Sequence, residues 1–416
     1  MQKANRDLMR DLNTTLVVNL VKSHGPISRA EIARRTKLSP ATVSIIVTRL
    51  LAIGILSELA VGEAKLGRPP VLLRLNERAG YAIGVKLKED GLTTVITNLA
   101  AEVLYSAESE AVLVGDPQMA ITAVDAAVTL ALRESGIKRK RVLGAGVGLA
   151  GVIDPSDGVC RYSHILHWRN IALAEPLRRR LRIPVWVDND VNTLAVAEKW
   201  FGAGVGLRHF LTVTVGRGIG LGIVFNGEIY RGAYGGAGEF GHTIVEPDGP
   251  PCQCGRAGCL EALVSEPVLR SRVAASLGRD ISSEELLALV DAGHPAVAEL
   301  LSDAGSQLGL AIANLVTLFN PERLIVSGEG TRLGARFFDP MREAIRKLAF
   351  AGMGSGLEVV VQPWGDDAWA IGAATLSRAH HKETVEAPTE TPPRGSDGPS
   401  RVTPEGAAPS APGVRV

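Results

Sequence analysis

Residues 25–50 read GPISRAEIARRTKLSPATVSIIVTRL, and this stretch decides how the first part of the chain folds. Gly25-Pro26 stops any preceding helix, because Pro lacks an amide proton and pushes the residue before it toward extended backbone. Ser28-Arg-Ala-Glu31 then has the spacing of a capping box, whose hydroxyl and carboxylate would satisfy orphan amides of a helix running to about Thr36. Ser39 is a good N-cap and Pro40 suits the first helical position, so a further helix opens there with Val43, Ile46, Val47 and Leu50 inward. Upstream, from Asp7 to Lys22, Leu8, Leu12, Leu16 and Leu20 recur every four residues beside Val17, one apolar stripe of a first helix. Downstream, two β-prone runs at 55–61 and 71–75 flank GEAKLGRPP (62–70), which reads as a hairpin wing.

Three helices with a tight turn before the third, followed by a hairpin, make a winged helix-turn-helix. A plain three-helix packing module has the same helices. The outward side of the third helix, with Ser39, Thr42, Ser44, Thr48 and Arg49, is instead small, polar and cationic, as base and phosphate contacts require. Arg68, at the wing tip before two prolines, suits either a narrow minor groove or a solvated loop. Charge agrees with DNA as the partner: residues 1–76 carry 12 Lys and Arg against 5 Asp and Glu, the remainder 33 against 39. The overall net charge of +1 hides this asymmetry.

At 416 residues the chain is too long for one ordinary core. Beyond Asn76 its pattern becomes α/β. Strands are expected at 81–87, 92–98, 102–107, 142–148, 184–188, 210–215, 219–225, 323–327 and 357–361. Helices are expected near 118–135, 190–201, 260–275, 282–291, 297–319, 331–348 and 367–379. Three adjacent strands, then a helix and a strand, occur near 81–148, and a similar run starts near 209, which points to two related lobes. After His381 the Pro-, Ser-, Thr- and Gly-rich tail lacks periodic apolar residues and is expected to be disordered. The domains expected are therefore 1–76, 77–381 and the tail 382–416.

His242 precedes Cys252, Cys254 and Cys259 in GHTIVEPDGPPCQCGRAGCLE (241–261), which places three of the four cysteines within eight residues. Three thiolates and one imidazole fill the four positions of tetrahedral Zn²⁺, so such a site is structural and has no place for an activated water. Free loop thiols are the alternative reading; a Cys-x-Cys disulfide is strained. Cys160 stands apart and reads as a small buried hydrophobe. So few cysteines exclude a secreted disulfide framework and favour a reducing compartment. No run of 18 apolar residues occurs, and the start MQKANRDLMRDLNTT has no signal-peptide pattern. A cytoplasmic protein is expected.

IPVWVDND (183–190) ends a strand and opens a helix that carries Asn192 and Glu198, where α/β folds commonly place ligand groups. Asn189 beside Asp190 can hold vicinal hydroxyls or can simply cap the helix. Glu239, His242 and Glu261 flank the cysteine loop and would bring two more carboxylates to the same pocket. Gly216-Arg-Gly-Ile-Gly220 after a strand could approach a phosphate, although one Gly-rich turn is weak evidence; Gly328-Glu-Gly330 is weaker.

Glu239-Phe-Gly-His242 with CQCGRAGCLE resembles the signature of the ROK family, which groups sugar kinases with sugar-responsive transcriptional repressors. VDNDVNTLAVAEKWFGAG (187–204), TVGRGIGLGIV (214–224) and GLAGVIDPSDG (148–158) resemble further ROK segments, so the resemblance covers about residues 80–380. The N-terminal module is similar to that of the repressor branch, including xylose-type and N-acetylglucosamine-type repressors. The resemblance implies a two-lobe actin-like sugar-kinase fold behind the winged helix-turn-helix, zinc on the His-Cys-Cys-Cys cluster, and dimers or tetramers. It also implies a sugar held by residues matching Asn189, Asp190, Glu239, His242 and Glu261, with His242 able to turn one nitrogen to the sugar and the other to zinc.

Two departures bear on activity. ROK kinases have an Asp-x-Gly-Gly-Thr turn after the first strand, where this chain reads VKLKED (85–90), with Lys86 at the Asp position. Arg217 replaces the kinase threonine of the second phosphate turn. Asp190, the kinase general base, persists, but a base without ATP transfers no phosphoryl group. In SHILHW (163–168), Ile165 stands where the family often has a sugar-touching Asn. The expectation is a repressor, not an enzyme, whose operator affinity a sugar modulates; an active sugar kinase and a zinc-responsive regulator are the alternatives.

Overall fold

Ser28 and Ser39 each accept a hydrogen bond from the amide three residues on, Glu31 at 3.2 Å and Thr42 at 3.1 Å, and so start the helices Arg29–Thr36 and Pro40–Ala52. The computed structural model describes residues 10, 13–14, 16–22, 24–59, 71–363 and 369–376. Leu8, Leu12, the wing tip with Arg68 and the tail 382–416 lie outside them. Only half of the expected capping box forms. The Glu31 carboxylate takes Arg34 and Arg35 at 2.8 and 2.6 Å, because two flexible guanidiniums on its own helix face offer charge-assisted bonds that a backbone amide cannot match. Those guanidiniums hold the Glu31 carboxyl down to about 2.

In the first helix Val17 and Val21 are buried while Leu16 and Leu20 are half-buried, one residue out of step with the expected stripe. A four-residue repeat drifts by about 40° per turn on a 3.6-residue helix, and the valines carry the centre of the face. They pack on Ile32, Val43, Ile46, Val47 and Leu50. Strand Leu72–Leu75 pairs antiparallel with Leu56–Leu59 and with the short strand Ile27–Ser28, which closes the small core with Leu56 and Leu73.

Two five-stranded sheets follow, built on one plan. In the first lobe, Tyr81–Leu87, Gly91–Asn98 and Val103–Glu110 form an antiparallel meander, and Val142–Leu149 then Val185–Asn189 join in parallel beside Tyr81–Leu87. In the second, Phe210–Val215, Ile219–Phe225 and Glu228–Ile229 are the meander, and Arg323–Ser327 then Glu358–Val361 the parallel addition. The central strands are buried on both faces because helices cover them, Pro117–Ser135 and Ala174–Leu181 in the first lobe and the 25-residue helix Pro295–Phe319 in the second. Helix residues 369–376 return to the first lobe. A Cβ on Gly84 would stand 1.7 Å from the Ala370 carbonyl, so only glycine lets the two backbones touch there.

Three features depart from the expected elements. Val152–Asp154, Val159–Ser163 and Trp168–Ala172 form a separate three-stranded sheet. The expected helix 260–275 is two, Glu261–Val264 and Glu266–Leu277, broken at extended Ser265. The helix expected from 331 starts at Ala335, after a 3-10 turn at Glu329–Leu333.

Candidate functional site

The C-terminal ends of the central strands of both lobes face one cleft of about 370 Å³, at the lower end of the range for small-molecule sites. Asp190 enters it from the N-terminus of helix Asp190–Phe201, Glu239 from the loop after Tyr230, and Glu261 from the turn after the cysteines. Asn189 and His242 complete the expected set, so the cleft brings all five residues together.

Asn189 behaves as a helix cap. Its Oδ1 accepts from the Val191 and Asn192 amides at 2.8 and 3.2 Å, and its Nδ2 donates to the Gly151 carbonyl at 3.0 Å, which leaves one N–H for a ligand. Asn192 is turned away, toward Asp188 at 3.1 Å, and Glu198 accepts from the Ala203 amide at 2.7 Å. Neither lines the cleft.

The three carboxylates crowd a poorly solvated space. Burial raises the Asp190 carboxyl above its ordinary range, and nearby Lys86 offsets part of the effect. Burial, with Asp190 and Glu261 beside it, lifts Glu239 to about 7. Glu261 is also raised by burial, although it accepts from the Ile219 amide at 3.1 Å. Such a cluster accepts hydrogen bonds from several hydroxyls at once, and a protonated carboxyl among them can donate one.

His242 Nδ1 lies 3.6 Å from Cys252 Sγ, and Cys254 Sγ lies 3.7 Å from Cys259 Sγ; the four donor atoms fall within 4.8 Å of one another. Zn–S bonds of about 2.3 Å put tetrahedral ligands roughly 3.8 Å apart, so the donor set fits zinc. Burial pushes the Cys252 thiol up to about 12, and such thiols become thiolates only beside a strong positive charge. Gly258 lets the loop close. It has φ +70°, and a Cβ there would sit 1.5 Å from the Glu246 carbonyl. With Nδ1 facing the sulfurs, Nε2 is left for the cleft, where the His164 ring packs edge-on at 5.1 Å from that of His242. His164 was missed as a candidate. It and Ile165 both line the cleft, while His167 is exposed outside it. Cys160 is buried, as its isolation in sequence implied.

Where a kinase would cradle phosphate, Arg217 forms an ion pair with Glu89 across the cleft. Lys86 stands 3.9 Å over the Trp369 ring and Lys88 pairs with Glu108 at 2.8 Å. The Gly220 amide is taken by Thr214 Oγ1 at 3.1 Å.

On the other module, Ser39, Ser44 and Thr48 are exposed, Thr42 and Arg49 half-buried, and the Ser39 and Thr42 hydroxyls lie 2.8 Å apart. Ile45, unremarked in the sequence, is 69% exposed between Ser44 and the buried Ile46. One exposed apolar residue in a polar helix face was the signal available.

A family model described as ROK family matches residues 83–380, and one for winged helix-turn-helix DNA-binding matches residues 10–57. The xylose repressor of Caldicellulosiruptor bescii is 28% identical over 385 residues, covering 89% of this chain and 96% of that one. The DNA-binding transcriptional dual regulator NagC of Escherichia coli is 31% identical over 385 residues, covering 90% and 94%. A crystal structure of a ROK family transcriptional regulator, homolog of the E. coli MLC protein, superposes with a TM-score of 0.75 at 26% identity over 90% of this chain and 97% of that one. A ROK family glucokinase from Streptomyces griseus, in complex with glucose and AMPPNP, gives a TM-score of 0.64 at 28% identity over 72% and 100%.

Proposed function

The chain belongs to the ROK family, and from its winged module and its cleft together we infer that it is a DNA-binding transcriptional repressor whose ROK domain holds a sugar that modulates operator affinity. It is a regulator and not an enzyme. One observation carries this reading. The cleft keeps three carboxylates suited to hydroxyls, while an Arg217–Glu89 ion pair stands in its phosphate half. The test is operator binding by the full chain, with the operator selected from a random duplex pool, in the presence and absence of sugars. A parallel assay should find no ATP-dependent sugar phosphorylation.

The finer assignments are ours. Asp190, Glu239 and Glu261 accept sugar hydroxyls, His242 adds Nε2, and Asn189 adds its remaining N–H. Cys252, Cys254, Cys259 and His242 Nδ1 hold one structural Zn²⁺, which fixes the loop between Glu239 and Glu261. Ser39, Thr42, Ser44, Thr48 and Arg49 contact DNA, and so does Arg68, which lies outside the described residues. The DNA-binding domain ends near Asn76, between the wing strand Leu72–Leu75 and the first-lobe strand Tyr81–Leu87. The protein acts in the cytoplasm as a two-fold dimer or a tetramer, since paired recognition helices must reach half-sites a fixed distance apart. Among the described residues no helix is long and apolar enough to cross a membrane.

A further inference from the structure

We infer that the effector is an uncharged, non-phosphorylated sugar, and that the cleft rejects sugar phosphates. The inference rests on the sugar-binding reading above and narrows it to one chemical class. The cleft lining carries six carboxyl groups against three cations, so the acids outnumber the cations even with Glu239 protonated. A phosphate within so small a cavity brings up to two negative charges close to that excess, and like charges in a site of reduced dielectric repel strongly.

The three cations of the cleft lining already have partners. Arg217 is paired with Glu89, on the opposite lobe. Lys88 is held by Glu108 at 2.8 Å, and Lys86 lies over the face of Trp369. The glycine turn is committed too. Its Ile219 and Gly220 amides donate to Glu261 and Thr214, and the Glu329 carboxylate lies so close to Gly216 that a Cβ there would be 2.2 Å from Oε2. A helix or turn binds phosphate through unsatisfied amides, and those two are satisfied internally. A neutral sugar needs none of these donors, because its hydroxyls can donate hydrogen bonds to Asp190, Glu239 and Glu261.

The experiment measures the melting temperature and operator affinity of the full chain with glucose, N-acetylglucosamine and xylose. Each is matched against a phosphorylated counterpart: glucose 6-phosphate, N-acetylglucosamine 6-phosphate and xylose 1-phosphate. The result expected is that one free sugar binds at least about tenfold more tightly than its phosphate, the scale of a modest like-charge penalty. A phosphate that binds as tightly as its parent sugar, or more tightly, would overturn the inference and leave the sugar-binding reading standing. Silence from every compound in both forms would take down the reading itself, and this inference with it. A Glu89→Gln variant supplies the second arm. It releases Arg217 to meet a phosphate, so the preference for the free sugar should shrink severalfold, and an unchanged preference would overturn the charge argument.

Discussion

Arg231 donates through Nε and Nη2 to the same oxygen of Asp188, at 2.9 and 2.7 Å, and so ties the loop leading to Glu239 to the strand leading to Asp190. The Asp188 carboxylate is 1% exposed and accepts further bonds at its other oxygen from the Asn189 amide and Asn192 Nδ2. One buried carboxylate thus positions groups from both lobes around the cleft.

Arg231→Ala leaves that charge unpaired in the interior, which should cost about 3 kcal/mol and lower the melting temperature by roughly 4–8 °C. The sugar response should weaken as well, since Glu239 loses its anchor. Asp188→Asn in the same chain should recover part of the stability, and thermal unfolding of the two single variants and the double measures the coupling.

Removal of the metal should expose three thiols and no more. Freshly purified protein should contain one zinc per chain by elemental analysis. After chelation, Cys252, Cys254 and Cys259 should alkylate at neutral pH, because the loop that carries them is no longer tied by the metal, while Cys160 does not, because it is fully buried within the strand Val159–Ser163. Mass spectrometry that finds the three cysteines alkylated without a chelator would argue against zinc.

Glu239 makes stability depend on pH in a defined direction. Its carboxyl stands at about 7 in the folded chain against 4.5 for an ordinary Glu, so between those values the folded state holds a proton that the unfolded state has lost. Stability from this group is therefore full below about pH 4.5 and falls as pH rises toward 7. Glu239→Gln should remove that loss, raise stability at pH 8 by about 1–3 kcal/mol, and abolish the sugar response. Melting curves of both proteins at pH 5 and pH 8 check it: the difference between them should be small at pH 5 and favour the variant at pH 8.

DNA affinity should reside in the helix Pro40–Ala52. Arg49→Ala should weaken operator binding about tenfold and reduce its salt dependence, as loss of a phosphate contact does. Ile45, exposed beside Ser44, suits a thymine methyl, so Ile45→Ala should relax preference at one base pair at a cost of about 1 kcal/mol or more. Anisotropy titrations at several salt concentrations separate the two effects. Operator binding undiminished in a chain lacking residues 1–76 would refute the assignment.

Much of this was legible because it is local. Runs such as 81–87 and 210–215 are mostly apolar, and caps such as Ser39 and Asn189 act on amides two or three residues away. The small sheet at 152–172 escaped notice because its strands are three to five residues long, with polar side chains interspersed. The Arg231–Asp188 pair joins residues 43 apart, and no spacing rule reports it. His164 was passed over because only the fold turns it, together with Ile165, to the cleft. The cysteine cluster was the reverse case, since its four donors lie within 18 residues and turn chemistry alone brings them together.

For a sugar at Asp190 to change how the winged module holds its operator, it must bind one lobe arrangement better than another. A coupling of about 1–3 kcal/mol would alter operator affinity roughly 5–150-fold. Asp190→Asn keeps the size of the side chain and its place at the first helical position but removes the charge and one acceptor. The decisive measurement is the operator Kd of wild type and Asp190→Asn by fluorescence anisotropy, each with and without the sugar that acts on wild type. If Asp190 holds the sugar, the unliganded Kd of the variant matches wild type and does not move with sugar; a variant whose Kd shifts at the same sugar concentration and by the same factor as wild type would remove Asp190 from the site.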